Sequence, residues 1–185
     1  MDSFDLKDLT KRMEASVETL RKEFQGLRTG RASVNLLDPV MVEAYGQHMP
    51  LNQVGSVSVG DARMLVVSVW DKAMVKPVEK ALHDANLGVT AQTEGTTIRL
   101  RLPELNQERR AEIVKLAHKY AEQCRIAVRN IRRDGMDRLK KMEKDSAIGQ
   151  DEHHRFADQV QELTDKFIQK IDETLATKEK EIMHI

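Results

Sequence analysis

The sequence has one cysteine and no long uninterrupted run of apolar residues among its 185 positions. The single cysteine, Cys124, cannot form a disulfide within the chain, and its position on an apolar helix face predicts a buried, unreactive thiol. Without a suitable apolar segment, neither a signal peptide nor a membrane-spanning helix is expected. The default expectation is therefore a cytoplasmic protein that does not contact a membrane.

Aromatic residues are also scarce, at 4% of the chain, whereas charged residues make up 32%. This composition favours helices with solvated faces over a large aromatic core. The 40% of hydrophobic residues nevertheless argues against wholesale disorder. A chain of this length can form one domain with a proper core, or two small domains.

The formal net charge is zero, with 30 basic and 30 acidic residues, but the two signs are segregated along the chain. Residues 105–141 contain 11 lysines and arginines against 5 carboxylates, and residues 142–185 contain 6 against 11. The isoelectric point of the whole chain therefore says little about its partners.

The spacing of apolar residues predicts three long amphipathic helices. The first begins at Leu6 and ends near Gly30, which can adopt the left-handed conformation that closes a helix. The second follows Pro103 and continues to about Lys144, and the third follows Gly149. Because no such helix can bury its apolar stripe alone, we expect a three-helix bundle built from residues 1–30 and 105–185.

The intervening segment, residues 31–104, has the alternating pattern of strands and contains one short helical stretch. Strands are predicted over residues 40–44, 54–59 and 64–70, a helix over 74–86, and a hairpin from 89–93 and 97–102. The sequence therefore predicts the α+β class, in which a small β/α/β domain is inserted into a long helical bundle.

The two connections of this inserted domain must lie close together, because the helices on either side have to pack against each other. One connection is Gly30-Arg31 and the other is Pro103-Glu104. We predict a hinge at this pair of connections. Arg28 and Arg31 also give the first connection a positive charge, so it is a second candidate for binding an anion. The alternative interpretation is that this segment is only a helix end followed by a flexible joint.

The second long helix combines an apolar stripe with a row of basic residues. At about 100° per residue, the apolar residues cluster on one side and the basic ones fall on roughly the opposite side. The basic residues, here called the basic face, are Arg125, Arg129, Arg132 and Arg133 with Lys115 and Lys140. The apolar residues are Ile113, Leu116, Tyr120, Cys124, Val128, Ile131 and Met142.

The basic face is expected to bind a polyanion, with RNA as the first candidate, since guanidinium groups match phosphate geometry and this side of the helix should face water. It contains no aromatic residues on which single-stranded bases could stack. Two alternatives stay open: the arginines pair with the acidic last helix of the bundle, or the protein is a helical adaptor whose basic face binds an acidic protein partner.

Nothing in the sequence favours an enzyme. No nucleophile, base and orienting group can be assembled around an isolated histidine, and no glycine-rich phosphate loop is present. The run from Asp151 to His154 places adjacent side chains about 100° apart on a helix, so they do not converge on a metal ion. We therefore expect no catalytic residues, no metal and no cofactor.

Two segments resemble the ribosome-recycling factor family. The first is Leu-Arg-Thr-Gly-Arg-Ala-Ser at residues 27–33, followed by Leu-Leu-Asp at 36–38, Val-Glu at 42–43 and Tyr-Gly at 45–46. The second is Val-Arg-Asn-Ile-Arg-Arg-Asp at residues 128–134. The resemblance covers the whole chain and departs mildly at Ala44, Gly135 and Gly149, of which Gly135 is expected to soften the basic helix.

The resemblance implies an L-shaped, monomeric protein in which a three-helix bundle and a β/α/β domain are joined by a hinge. It implies a translation factor that binds the ribosome after peptide release and acts with elongation factor G and GTP to separate the subunits and release the mRNA. It also implies contacts with large-subunit ribosomal RNA. The expected RNA-binding residues are Arg129 and Arg132, supported by Arg28, Arg110, Arg125 and Arg133.

Overall fold

The computed structural model describes residues 4–29, 32–85 and 87–183 of the chain. These residues form helices and strands of the predicted α+β class, which is confirmed. The helices are α1 (Leu6–Gln25), α2 (Val75–Asp84), α3 (Gln107–Lys144) and α4 (Gln150–Met183). The strands are β1 (Met41–Ala44), β2 (Gln47–Pro50), β3 (Gly55–Asp61), β4 (Met64–Val69), β5 (Thr90–Glu94) and β6 (Thr97–Arg101), and short 3-10 turns occur at Val34–Leu37, Leu51–Gln53 and Lys72–Met74.

The chain divides into two compact units. The helical unit consists of Met1–Phe24 and Val114–Lys180, and the sheet unit consists of Gln25–Ile113 and Glu181–Ile185. Most of α1, α3 and α4 therefore belongs to the helical unit, whereas α2 and all the strands belong to the sheet unit.

In the helical unit, α1, α3 and α4 pack against one another as a three-helix bundle, as expected. Arg12 Nη2 of α1 lies 2.8 Å from Asp134 Oδ2 of α3, and the rings of Phe4 and Phe156 lie 5.3 Å apart. Apolar residues spaced by three or four positions fill the interior. They include Leu9, Met13, Val17 and Leu20 of α1, Ala117, Ala121, Val128 and Leu139 of α3, and Val160, Phe167, Ile171 and Leu175 of α4.

Helix α1 ends at Gln25, several residues before the predicted end near Gly30. Gly26 follows the last helical residue, and glycine costs about 1 kcal/mol relative to alanine in a helix. Leu27 lies beyond the end of α1 and is nevertheless buried, so its burial does not require the helix to continue. Gly30 itself lies outside the described residues.

Gly135 is a close-packing position in α3. A Cβ atom at position 135 would lie 2.7 Å from Cδ1 of Leu9 in α1. Leu9 is itself buried in the interior of the helical unit. A hydrogen in place of a side chain therefore allows α1 and α3 to approach each other at this point.

The sheet unit contains a four-stranded antiparallel sheet with the order β3-β4-β6-β5 and a separate hairpin of β1 and β2. Apolar side chains of β4 and β6, including Leu65, Val67, Ile98 and Leu100, share a core with Val78 of α2. The sequence did not predict β2. Tyr45 and Gly46 both have positive φ, 52° and 75°, which is the backbone of a two-residue hairpin turn, and residues 47–50 consequently pair with β1.

The turn between β3 and β4 holds the chain on both sides of the inserted segment. The backbone N–H of Ala32 donates to the carbonyl of Ala62 at 2.7 Å, and that of Leu102 donates to the carbonyl of Arg63 at 2.7 Å. Residues 32 and 102 are therefore both hydrogen-bonded to this turn, at neighbouring residues.

Candidate nucleic-acid interface

The side chain of Asn106 caps the N-terminus of α3, since its Oδ1 accepts the backbone N–H of Arg109 at 2.8 Å. From there one stripe of the helix is buried. It comprises Ala117, Ala121, Cys124, Val128, Ile131, Leu139 and Met142. The stripe is narrower than predicted, because Leu116 is exposed. The small residues Ala117 and Ala121, which the prediction left out, take part in it.

Arg125 is held inside the helical unit and does not face water freely. Its Nε and Nη2 donate to Asp172 Oδ1 of α4 at 2.9 and 2.8 Å, and its Nη1 donates to Glu122 Oε2 at 2.9 Å. Only 18% of the side chain is exposed. Burial acts to lower the pKa of Arg125, but the hydrogen bonds and charges of Asp172 and Glu122 outweigh it and raise the pKa above its ordinary value.

Arg132 is also turned towards α4. Its Nη1 donates to Gln161 Oε1 at 3.0 Å, and Gln161 in turn donates to Asp165 Oδ1 at 2.9 Å. Among the described residues, none accepts a hydrogen bond from the buried Nε of Arg132. The side chain is half-buried, so part of the guanidinium is held by α4.

The expectation that the arginines face water as a group is therefore wrong for Arg125 and Arg132. Each follows a buried residue of α3, Ala121 or Val128, by four positions, which corresponds to a rotation of only about 40°. Both consequently flank the core and reach residues of α4. Pairing with the acidic last helix, one of the alternatives left open, is realised at Asp172.

Arg129 and Arg133 form the exposed part of the basic face. Arg129 makes one long contact, 3.5 Å from its Nη1 to Glu122 Oε1. Arg133 is exposed and forms no ion pair within the described part of the chain, and Lys115 and Lys140 are exposed as well. These side chains leave N–H donors directed at solvent, where phosphate oxygens could accept them.

Ile126 is an exposed apolar residue on the outer side of α3, one helical turn before Arg129 and two before Arg133. Ile126 is not among the residues predicted from the sequence. It could have been found from the sequence, because this isoleucine lies about 180° around the helix from the buried stripe, where a polar residue is expected. It gives this surface an apolar contact point beside the two guanidinium groups.

The sheet unit contains a separate group of arginines around Arg28. Its Nη2 donates to the carbonyl oxygen of Pro103, and its buried Nε has no acceptor among the described residues. Burial lowers the pKa of Arg28, and repulsion by Arg109, Arg63 and Arg110 lowers it further. Such a group of cations would be stabilised by an anion.

Arg110 has a different environment from the other predicted RNA-binding residues. It is 7% exposed, and it donates from Nη1 to the carbonyl of Ile182 at 3.2 Å and from Nε to that of Leu105 at 3.5 Å. These contacts join the start of α3 to the end of α4 within the sheet unit. The geometry gives Arg110 a structural role and little surface for a phosphate.

Of the predicted hinge, Pro103 and Glu104 can be described, whereas Gly30 and Arg31 lie outside the described residues. Pro103 and Glu104 stand in the irregular segment between β6 and α3. Glu104 is exposed, and its Oε2 lies 3.9 Å from Arg63 Nη1. Exposed pairs of this kind contribute little to stability.

No group of three or more histidine, cysteine, aspartate or glutamate side chains in residues 4–29, 32–85 and 87–183 could hold a metal ion. No described helix is both long and apolar enough to cross a membrane. In the run from Asp151 to His154, His153 Nδ1 lies 2.7 Å from Glu143 Oε2 of α3, a contact that joins α3 and α4.

Comparison with known proteins gives consistent matches over nearly the whole chain. The model of the family "Ribosome recycling factor" matches residues 20–183. The ribosome-recycling factor of Rhodospirillum centenum is 61% identical over 181 residues, which cover 98% of each chain. That of Beijerinckia indica is 56% identical over 182 residues, again covering 98% of each chain.

Two solved structures are similar in fold and in sequence. A solution structure of the ribosome recycling factor has a TM-score of 0.75 and 39% identity, with complete coverage of both chains. The second comes from models for the T. thermophilus ribosome recycling factor and the E. coli elongation factor G bound to the E. coli post-termination complex. It has a TM-score of 0.64 and 42% identity, and covers 96% of this chain and 98% of the other.

Proposed function

Because the chain belongs to the ribosome recycling factor family, whose members are translation factors and not enzymes, we propose that it binds the post-termination ribosome through large-subunit ribosomal RNA. With elongation factor G and GTP it separates the subunits and releases the mRNA. The relative from T. thermophilus, described together with elongation factor G on a post-termination complex, supports this choice of partners.

The proposed binding to ribosomal RNA is supported by the exposure of Arg129 and Arg133, which lie one helical turn apart on α3. Their donors are directed at solvent, and Lys115 and Lys140 add positive charge on the same exposed side. Arg132 contributes the part of its guanidinium that Gln161 does not occupy. Arg125 positions α4 and does not bind phosphate itself.

A subunit-splitting assay with purified post-termination ribosomes, elongation factor G and GTP tests this proposal. The double variant Arg129→Gln/Arg133→Gln should lose most of its splitting activity at limiting concentration. Arg21→Gln is the matched control, since Arg21 is an exposed arginine of α1 in the same unit. Unchanged splitting by the double variant, or equal loss in the control, would overturn the assignment of the RNA-binding surface.

The two connections around residues 30–31 and 103–104 act as a hinge, about which the inserted domain of residues 31–104 moves during recycling. The anchoring of Ala32 and Leu102 on the turn between β3 and β4 supports this, because it fixes the chain immediately beyond both connections. Substitution of Gly30 by proline should leave ribosome pelleting nearly unchanged and reduce splitting. Normal splitting by this variant would exclude domain movement as the mechanism.

A further inference from the structure

Trp70 is a large aromatic side chain exposed on the surface of the sheet unit. It is 66% exposed, although tryptophan usually buries most of its surface. It borders an open cleft of about 550 Å³ whose apolar walls include Val34, Leu37, Leu51 and Val57. Exposed tryptophans beside apolar clefts are typical anchor points of protein interfaces.

The cleft is also lined by the first residues of β3, which is an edge strand. In the described sheet β3 pairs with β4 on one side and with no strand on the other. From Gly55 to Asp61 it contains no lysine, arginine or proline, and its one charged residue, Asp61, stands at the end of the strand after a register shift that follows Val59. Edge strands are usually protected by such residues, because their unpaired N–H and C=O groups otherwise accept a further strand.

The side chains of β3 extend the apolar face of the sheet to this edge. Val57 pairs in register with Val67 and Val59 pairs with Leu65, so both valines lie on the face that carries the core. Val59 is nevertheless 51% exposed. A strand added beside β3 could place its own apolar side chains over Val57 and Val59 and continue the core face.

The opposite edge of the sheet is formed by β5, which is mostly polar. All five residues of β5 are exposed, and polar side chains predominate among them. The hydroxyl of Thr93 donates to Glu79 of α2 at 2.6 Å, which ties β5 to that helix. β5 can therefore serve as an internal control for the binding of a further strand at β3.

We propose that β3 and the Trp70 cleft accept an extended segment of a partner protein as an additional strand of the sheet. Such a segment carries apolar side chains on alternate residues, one of them seated against Trp70. It also carries a lysine or arginine, because the charged group among the described residues that line the cleft is the carboxylate of Asp38. This surface is independent of the arginines of α3.

An NMR titration of the full-length protein with a Lys-Val-Lys-Val-Lys-Val peptide, acetylated at its N-terminus and amidated at its C-terminus, tests the proposal. The backbone amides of residues 56–60 and the indole N–H of Trp70 should shift, whereas the amides of β5 should not. The matched Glu-Val-Glu-Val-Glu-Val peptide should bind about tenfold more weakly, since it places carboxylates beside Asp38. No shift with either peptide, equal affinity for both, or equal shifts at both edges would overturn the proposal.

Two variants sharpen the test. Val59→Lys places a charge on the edge of β3 and should abolish the shifts, whereas Gln92→Lys, the same side chain on β5, should leave them unchanged. Circular dichroism of both variants checks that they fold. Peptide binding that survives Val59→Lys would contradict strand addition. Amide shifts of β3 that depend on protein concentration without peptide would identify the occupant as a second copy and also overturn the proposal.

Discussion

Arg125 of α3 and Asp172 of α4 are joined by two hydrogen bonds to one oxygen, with Nε and Nη2 of Arg125 lying 2.9 and 2.8 Å from Asp172 Oδ1. This contact divides the basic face in two. Arg125 belongs to the packing between α3 and α4, whereas Arg129, one helical turn further on, extends into solvent. Charge alone therefore does not identify the residues that bind a polyanion.

Substitution of Arg125 by glutamine should lower the free energy of unfolding by about 1 kcal/mol, because it removes charge-assisted hydrogen bonds from a mostly buried side chain that pairs with an exposed carboxylate. Urea denaturation measures this change. Asp172→Asn should have a similar effect, and the double variant should lose less than the sum of the two. Fully additive losses would show that the two side chains do not stabilise each other.

Substitution of Arg129 or Arg133 by glutamine should weaken the salt dependence of ribosome binding. Each phosphate contact contributes about 0.7 to 0.9 to the slope of the logarithm of the binding constant against the logarithm of salt concentration. Ribosome pelleting over a range of salt concentrations measures this slope. Arg125→Gln is the control and should leave it unchanged. A slope that both substitutions leave unaffected would show that Arg129 and Arg133 do not contact phosphates.

The thiol of Cys124 should make the protein less stable at alkaline pH. Burial, followed by the charge of Glu23, raises the pKa of Cys124 from 9.0 to about 11. The unfolded thiol therefore loses its proton first, so the unfolded state binds fewer protons and stability falls as the pH rises from about 9 to about 11.

Over this range the wild-type protein should lose about 2 kcal/mol more stability than Cys124→Ala. Urea denaturation at several pH values gives the two curves. The two proteins are identical at every other residue, so the difference between the curves isolates the thiol. Parallel curves would mean that Cys124 ionises as readily in the folded state as in the unfolded state.

A double-mutant cycle at Leu9 and Gly135 tests the close approach of α1 and α3. Alone, Gly135→Ala should change the free energy of unfolding little, because the displacement of the Leu9 methyl group offsets the gain in helix propensity. In a Leu9→Ala background the same substitution should stabilise by about 1 kcal/mol, since the space is then free. Equal stabilisation in both backgrounds would instead show that Gly135 weakens the helix.

The sequence by itself determined the helices, most of the strands and the family. Periodic apolar spacing reports which face of a segment is buried, and it depends only on residues near one another in the chain. This is why α1, α3 and α4 lie where the three long amphipathic helices were predicted. The main errors of the prediction arose where backbone conformation, and not apolar spacing, decided the structure. Gly26 ended α1 early, and the positive φ values of Tyr45 and Gly46 turned the chain into an additional strand, β2.

Only the tertiary structure decided which arginines are available to a partner and why position 135 is glycine. Arg125 and Asp172 are 47 residues apart in the chain, and Leu9 and Gly135 are still further apart. Periodicity within one helix cannot show which side chains of another helix will meet it. The division of the basic face into Arg125 and Arg132, held by α4, and Arg129 and Arg133, facing solvent, follows from those long-range contacts.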